Sequence, residues 1–186
     1  SFYFDIRKDV LYCDDLNSKK RKDCVVVLNI LLDCLLKWFA PIFVFTTEEI
    51  FGLIKKEKNS IHEQIFPNIP KKWKNKVIYK KWNALISIKQ EANIAIEQMR
   101  AKKIIGSSLE AELEILADDK NLKLLKDLDL AEFFITSKAT KNSISNEDEK
   151  IKFNVKKTSG EKCPRCWKIL ASKCERCDKI LRSFSK

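Results

Sequence analysis

Two Cys-x-x-Cys pairs lie close together in one short basic stretch of the sequence. They are formed by Cys163, Cys166, Cys174 and Cys177. Each pair lets two thiolates point at one centre, and two pairs supply the four soft ligands of a tetrahedral zinc site. A four-cysteine site leaves no position open for substrate, so we expect one structural zinc ion rather than a catalytic one. The stretch has few apolar residues, so metal binding, worth about 10–16 kcal/mol in small modules, would drive its folding.

Two other uses of the cysteine pairs are possible, as redox dithiols or as an iron–sulfur site. A thioredoxin-like dithiol needs one pair after a strand of a βαβ unit, and that pattern is missing. The remaining thiols, Cys13, Cys24 and Cys34, lie far from the pairs along the sequence. Cys24 and Cys34 fall in an apolar segment, which predicts buried, inert thiols. A metal-type cluster without a secretory signal favours the reducing cytoplasm.

The composition indicates a folded, basic protein. The chain has 186 residues, 45% of them hydrophobic, and a net charge of +11. This charge favours a polyanionic partner such as nucleic acid. A lysine-rich composition can also follow from an AT-rich genome, and both interpretations stay open. Because the chain opens at Ser1, directly in apolar sequence, we expect it to be a piece of a longer protein.

The strongest helical pattern runs over residues 24–39. Its apolar face comprises Val25, Leu28, Leu32, Leu35 and Leu36. A polar stripe on the other side includes Asp33 and Lys37, which predicts an ion pair between them. A membrane span needs about 20 residues without such a stripe, so we expect a bundle helix and no membrane partner. Pro41 ends the helix.

The next segments are predicted from capping and composition. Thr46 and Glu49 resemble a capping box that starts a short helix through Ile54. Residues 55–75 have loop composition, and His62 within them is interpreted as a loop residue. Ser1 to Asp15 shows no clean period.

A second long helix is predicted over residues 77–103, with Gly106 ending it. Its outer face is basic, carrying Lys80, Lys81, Lys89, Arg100, Lys102 and Lys103. This face is either simply solvated or turned toward phosphates.

Beyond Gly106 the period changes to that of strands. The predicted elements are a strand over 109–115, a helix near 120–128, a strand over 133–135, a polar loop over 138–150 and a strand over 151–155. The fold class is therefore mainly α, with a helical bundle followed by a small α+β piece and a C-terminal four-cysteine zinc module. The predicted boundaries are 1–107, 108–158 and 159–186.

Four stretches of the sequence occur in the order found in one known family. They are SFYFDIRKDVLYCD, APIFVFTTEEIFGLI, MRAKKIIGSSLEAELEI and GEKCPRCWKI. Together they resemble the C-terminal part of bacterial isoleucyl-tRNA synthetases over nearly the whole chain, with GSSLEA and CPRCW the most specific. The bundle alone would also suit valine, leucine or methionine synthetases, and the cysteine pairs favour isoleucine.

The resemblance implies an anticodon-binding domain of a class I synthetase, which would bind the anticodon stem and loop of isoleucine tRNA. The family is cytoplasmic, and we expect a monomer. Its Rossmann catalytic domain carries HIGH and KMSKS signatures, and neither occurs in this sequence. We therefore expect no catalytic residue here and no isoleucyl adenylate formed by this piece alone. ATP and magnesium would belong to the catalytic domain, in the remainder of the synthetase chain.

The family's Cys-x-Arg-Cys-Trp motif assigns anticodon contacts to Arg165 and Trp167. Unpaired bases are read by stacking and by hydrogen bonds to their edges. The alternative is that Trp167 packs the zinc module onto the α+β piece. The residues expected to attract phosphates are Lys162, Lys168, Lys173, Arg176, Arg100, Lys102 and Lys103. The connector between the cysteine pairs, residues 167–173, is shorter than in typical members, which puts any base contact from it in doubt.

Other functional classes remain open. A stand-alone zinc-containing RNA-binding module without catalytic activity would bind by charge, with little preference among RNAs. A DNA-repair glycosylase tail also ends in paired cysteines, but the N-terminal catalytic residue and the helix–two-turn–helix of that family are missing. A scaffolding role would leave the metal-type cluster without a purpose.

Overall fold

The computed structural model describes residues 2–55, 59–144 and 150–184. The chain forms two compact units, Leu16–Asn75 and a second made of Ser1–Asp15 with Lys76–Lys186. The prediction of a mainly α fold with a small sheet is confirmed, while the three predicted segment boundaries stay a prediction. Throughout the described ranges, every helix is too short or too polar to cross a membrane.

The helices and strands follow in chain order. The helices are α1 (Phe2–Cys13), α2 (Lys19–Phe39), α3 (Val44–Lys55), α4 (Lys76–Ala101), α5 (Asp119–Leu124), α6 (Leu130–Phe134) and α7 (Glu175–Phe184). The strands are β1 (Ala111–Ala117), β2 (Lys138–Ser143), β3 (Ile151–Lys157), β4 (Glu161–Lys162) and β5 (Ile169–Leu170). Short 3-10 turns lie at Ile61–Glu63, Lys71–Trp73 and Ser108–Glu110.

The unit Leu16–Asn75 is built on α2 and α3. Its small core comprises Leu36, Ala40, Phe51 and Ile61. Ser18 caps α2 by accepting a hydrogen bond from the Arg21 amide at 3.2 Å, so the helix starts five residues earlier than its apolar pattern. The predicted Asp33–Lys37 pair is confirmed at 2.8 Å, and Cys24 and Cys34 are buried as expected.

The predicted capping box at Thr46 is wrong. Helix α3 starts at Val44, and the Thr47 hydroxyl donates to a carbonyl one turn earlier instead of capping. A capping box does occur between Ser60 and Glu63, at the start of a single 3-10 turn. The Glu48 carboxylate accepts hydrogen bonds from Ser60 and Ile61, which ties α3 to this turn.

The second unit is organised around a three-stranded sheet with strand order β2-β1-β3. The central strand β1 pairs in parallel with β2 and antiparallel with β3. Its alternation predicted from sequence is confirmed, because every second residue from Ala111 to Ala117 is fully buried. Leu113, Ile115 and Ala117 share a core with Leu85, Ile88, Ala92, Leu125, Phe133 and Phe134. Ala111 packs with Ile96 and Ile105 instead.

Two predicted elements of this unit are wrong. Phe133 and Phe134 lie in helix α6, which Asp129 caps by accepting from the Glu132 amide at 3.1 Å. The predicted loop over 138–150 contains strand β2, and residues 145–149 of that loop lie outside the described chain. Most residues of β2 are exposed, so its polar sequence resembled a loop.

Two helices of this unit also differ from expectation. The aperiodic N-terminal stretch forms α1, whose Phe2 ring packs edge-on against Trp82 and Phe133 at 6.1 and 6.0 Å. Helix α4 ends before Gly106, because Lys103 adopts a left-handed backbone with φ of 58°. The Ile104 and Lys103 amides donate back to carbonyls of the last turn, which is a Schellman cap.

Candidate metal centre and nucleic-acid interface

The sulfur atoms of the two cysteine pairs lie within 4.8 Å of one another. The Sγ atoms of Cys166 and Cys174 are 3.9 Å apart. A tetrahedral ion with Zn–S bonds of about 2.3 Å places its sulfurs about 3.8 Å apart, so this geometry fits zinc. Three of the thiols are buried and Cys174 is half-buried. The predicted four-cysteine cluster is therefore brought together as a closed site.

A hairpin and a helix hold the two pairs. Strands β4 and β5 flank the first pair, and the turn closes with hydrogen bonds from Cys163 N to Lys168 O at 2.9 Å and from Trp167 N to Cys163 O at 3.0 Å. Gly160 precedes the hairpin with φ of 133°, and a Cβ there would lie 2.2 Å from the Leu170 carbonyl oxygen, so only glycine fits. Cys174 directly precedes α7.

The thiols differ in acidity. Burial disfavours the Cys163 thiolate, but backbone amides of Cys166 and Arg165 donate to it and lower its pKa to about 7. Burial raises the pKa of Cys166, Cys174 and Cys177. A metal ion must therefore displace protons from most of the ligands when it binds.

Acidic residues of helix α1 and of the position directly after it contact this metal module. The Arg176 guanidinium makes two hydrogen bonds of 2.7 Å to Asp9 and one of 3.0 Å to Asp14. Burial raises the pKa of Asp9, but Arg176 and Lys168 outweigh this effect and hold that pKa below its usual range. Lys168 lies 3.9 Å from Asp9.

The end of α1 makes a second set of contacts. The Arg165 guanidinium donates to the carbonyls of Cys13 and Tyr12 at 2.6 and 3.0 Å. The Cys13 thiol contacts the Arg165 carbonyl at 3.6 Å. Burial, followed by the Asp9 charge, raises the pKa of Cys13 to about 11. Cys13, distant from the pairs in sequence, thus packs beside them as a neutral thiol.

Trp167 is presented on the surface of the module. The residue is 60% exposed, so the ring is not buried between the module and the sheet. Its backbone is left-handed, with φ of 63°. The Lys162 ammonium lies 5.8 Å from the ring centroid.

Some of the residues predicted to contact RNA line one cleft, and the others lie outside it. A cleft of about 890 Å³ is lined by Arg165, Trp167 and Lys168 of the module and by Arg100 of α4. Arg100 also pairs with Glu97 at 2.7 Å. Outside the cleft lining, Lys173 pairs with Asp178 at 2.6 Å. Lys102 and Lys103 are exposed after the end of α4.

Sequence reasoning missed the acidic partners on α1 and directly after it. Asp9 and Asp14 lie 167 and 162 positions from Arg176, and no local pattern connects them. It also placed Lys89 on the exposed face of α4, whereas that residue is only 8% exposed and donates to the Phe133 carbonyl at 2.5 Å.

Comparison with known proteins identifies the family. A family model described as the anticodon-binding domain of tRNA ligase matches residues 1–115. Isoleucine–tRNA ligase of Pelagibacter ubique is 52% identical over 91% of this chain and 18% of its own length. Those of Mesorhizobium japonicum and Zymomonas mobilis are 45% and 37% identical, over 74% and 91% of this chain and 14% and 18% of their own lengths. The chain thus spans less than a fifth of these relatives, and the resemblance to isoleucyl-tRNA synthetases is confirmed. The chain belongs to the family of tRNA-ligase anticodon-binding domains.

Proposed function

We propose that this chain is the portion of an isoleucine–tRNA ligase that holds the anticodon stem and loop of isoleucine tRNA. We further propose that Cys163, Cys166, Cys174 and Cys177 bind one structural zinc ion. The family match supports binding to tRNA, and the names of the relatives support isoleucine as the amino acid. The spacing of the sulfur atoms supports zinc.

The observation that carries this proposal is the conformation of Trp167. A left-handed backbone costs an ordinary residue about 1–2 kcal/mol. Burial of the large ring does not offset this cost, because Trp167 is 60% exposed. Backbone strain that the fold maintains at an exposed aromatic residue favours a binding role. Stacking of an unpaired base on such a ring is worth about 1–3 kcal/mol.

The metal module determines where this ring lies. Bound zinc would supply four metal–sulfur bonds, and the two to Cys163 and Cys166 would fix the turn between these residues. The hydrogen bond from Trp167 N to Cys163 O then holds the indole next to the rigid turn. The adjacent cleft of about 890 Å³ falls within the range of about 300–1,000 Å³ that is common for small-ligand sites, so it has room for a base beside the ring.

Basic side chains would attract the phosphates around this site. The net charge of +11 supplies a general attraction, and each phosphate contact steepens the salt dependence of binding. Lys162, Lys102 and Lys103 are exposed and suited to this role. Lys168, Lys173 and Arg100 already lie near carboxylates, so their phosphate contacts would share those partners.

The chemistry of aminoacylation would belong to the whole ligase. We propose that the parent protein joins isoleucine to its tRNA with ATP and magnesium in a catalytic domain that this chain does not contain. The same proposal places the protein in the cytoplasm as a monomer. The motifs that would bind ATP, HIGH and KMSKS, are missing from the sequence.

The test compares two exposed tryptophans. Trp167→Ala should weaken binding to isoleucine tRNA about tenfold or more, because it removes one stacking platform. Trp167→Gly should weaken binding equally while leaving the fold at least as stable, because glycine accepts the left-handed backbone. Trp73→Ala is the matched control, since it removes an exposed indole from the other compact unit.

Affinity should be measured by fluorescence anisotropy with labelled isoleucine tRNA and with a tRNA that carries another anticodon. Equal small losses in the Trp167 and Trp73 variants would overturn the stacking role. Equal binding of both tRNAs by the unsubstituted chain, with a steep salt dependence, would instead support a general RNA-binding module.

A further inference from the structure

We propose that Asp9 and Asp14 of the α1 segment are positioning residues, which orient the metal module through Arg176 and so place Trp167 for RNA. Arg165 acts with them by holding the end of α1. The RNA readout of this inference rests on the proposed function. It also changes the role expected of Arg165 and Arg176. Their guanidinium groups bind the α1 segment, so they are not free to bind phosphates or bases.

The first support is the geometry of the Arg176 contact. Both of its terminal nitrogens reach Asp9 at 2.7 Å, and one of them also reaches Asp14 at 3.0 Å. A two-bond contact between a guanidinium and a carboxylate fixes direction as well as distance. All three side chains are partly buried, so this contact is screened less than a surface ion pair. It therefore constrains the rotation of α7 relative to α1.

The second support is the contact of Arg165 with the end of α1. The last carbonyls of a helix have no partner within the helix, and a cation there also interacts favourably with the helix dipole. Arg165 donates to two of these carbonyls, those of Tyr12 and Cys13. Its own carbonyl lies 3.6 Å from the Cys13 thiol. The backbone and the side chain of Arg165 are therefore both held on α1, two residues before Trp167.

Another anchor holds the module through strand β5. The Ile169 amide donates to the Ser137 hydroxyl at 2.6 Å, and that hydroxyl in turn donates to the Leu109 carbonyl. With this anchor alone the hairpin could pivot, because one hydrogen bond leaves rotation about it free. The contacts with α1 remove that freedom and fix the direction in which Trp167 faces.

Neutralising Asp9 distinguishes two possible roles of Arg176, direct phosphate contact and positioning of the metal module, because the two roles predict opposite changes in RNA affinity. If Arg176 contacts phosphate directly, then neutralising Asp9 frees its guanidinium and removes a negative charge near RNA, so binding should tighten. If Asp9 positions the module, the same change should weaken binding although it makes the protein more basic. General electrostatics and positioning therefore predict opposite outcomes.

The experiment uses the zinc-loaded chain with Asp9→Asn, Asp14→Asn and the double substitution. Asp127→Asn is the matched control, because that carboxylate is 75% exposed and is 3.9 Å from its partner Lys81. We expect the double variant to bind isoleucine tRNA about tenfold more weakly, with an unchanged zinc content. The control should bind as tightly as the parent chain or more tightly. Arg176→Lys keeps the charge but loses the two-bond contact, and it should weaken binding as Asp9→Asn does.

Amide hydrogen exchange supplies a readout that does not depend on RNA. In the zinc-loaded Asp9→Asn and Arg176→Lys variants, amides of residues 163–177 should exchange about tenfold faster, while those of β1 stay unchanged. Unchanged exchange together with equal or tighter tRNA binding in Asp9→Asn would overturn the inference. If the parent chain fails to bind isoleucine tRNA, the proposed function fails, and the exchange comparison still decides whether Asp9 and Asp14 orient the module.

Discussion

The burial of Lys89 predicts how the free energy of unfolding changes with pH. The residue is 8% exposed, and its ammonium donates to the Phe133 carbonyl at 2.5 Å. Burial lowers its pKa from 10.5 to about 8, although the Asp5 charge acts in the opposite direction. Below pH 8 the folded protein carries a charge that water would solvate better, and the full shift corresponds to about 3 kcal/mol.

The pH dependence follows from proton binding. Between pH 8 and 10.5 the unfolded chain binds a proton that the folded chain has lost, so stability rises with pH in this window. Lys89→Met removes this titration. The stability of the unsubstituted protein relative to Lys89→Met should therefore increase by about 2 kcal/mol from pH 7 to about pH 9.5. At pH 7 itself, loss of the buried charge and loss of the donor to Phe133 nearly cancel.

Urea unfolding of the zinc-loaded proteins, followed by far-UV circular dichroism at both pH values, measures this difference. All other groups titrate in both proteins, so they cancel in the comparison. Lys80→Met is the control, because Lys80 is exposed on the same helix and its removal should give a difference that does not change with pH. A change smaller than about 0.5 kcal/mol for Lys89→Met, or one of opposite sign, would refute the reasoning from burial.

Two further predictions concern the backbone and the metal. Lys103→Gly should stabilise the protein by about 1 kcal/mol in urea unfolding, because glycine adopts the left-handed cap of α4 without the cost that a side chain brings; a destabilised variant would contradict this. Zinc binding at pH 7 should release about three to four protons, because burial keeps Cys166, Cys174 and Cys177 protonated while the Cys163 thiol has a pKa of about 7. Apparent zinc affinity should then fall about five-thousandfold from pH 7 to pH 6. A pH-stat titration that finds one proton or fewer would exclude four thiolate ligands.

The sequence predicted the parts of the structure that depend on local spacing. The four cysteines come together because the two cysteines of each pair lie on one short turn and a connector of seven residues joins the two pairs. The alternation of β1 and the long helix α4 follow from one buried face each. These features need only neighbouring residues, so a single sequence is enough to indicate them.

The features that were missed depend on contacts between distant segments. Helix α1 has no clean period, and its Phe2 packs against rings from two other helices. Strand β2 is polar and mostly exposed, and its place in the sheet comes from pairing with β1. Burial of Lys89 requires a partner carbonyl 44 positions away. In each case contacts with a distant segment determine the structure, and the local sequence does not indicate which segment that is.

The path of the chain through its second unit has a consequence for synthesis on the ribosome. That unit combines Ser1–Asp15 with residues that begin at Lys76, while Leu16–Asn75 is one continuous stretch. The continuous stretch can therefore fold as soon as it emerges, whereas Asp9 must wait for Arg176, 167 positions later. At about 5–20 residues per second this delay is about 8–30 s. Helix α1 therefore waits for its partner in the metal module until Arg176 has been made, and the metal site is completed only when Cys177 has been translated.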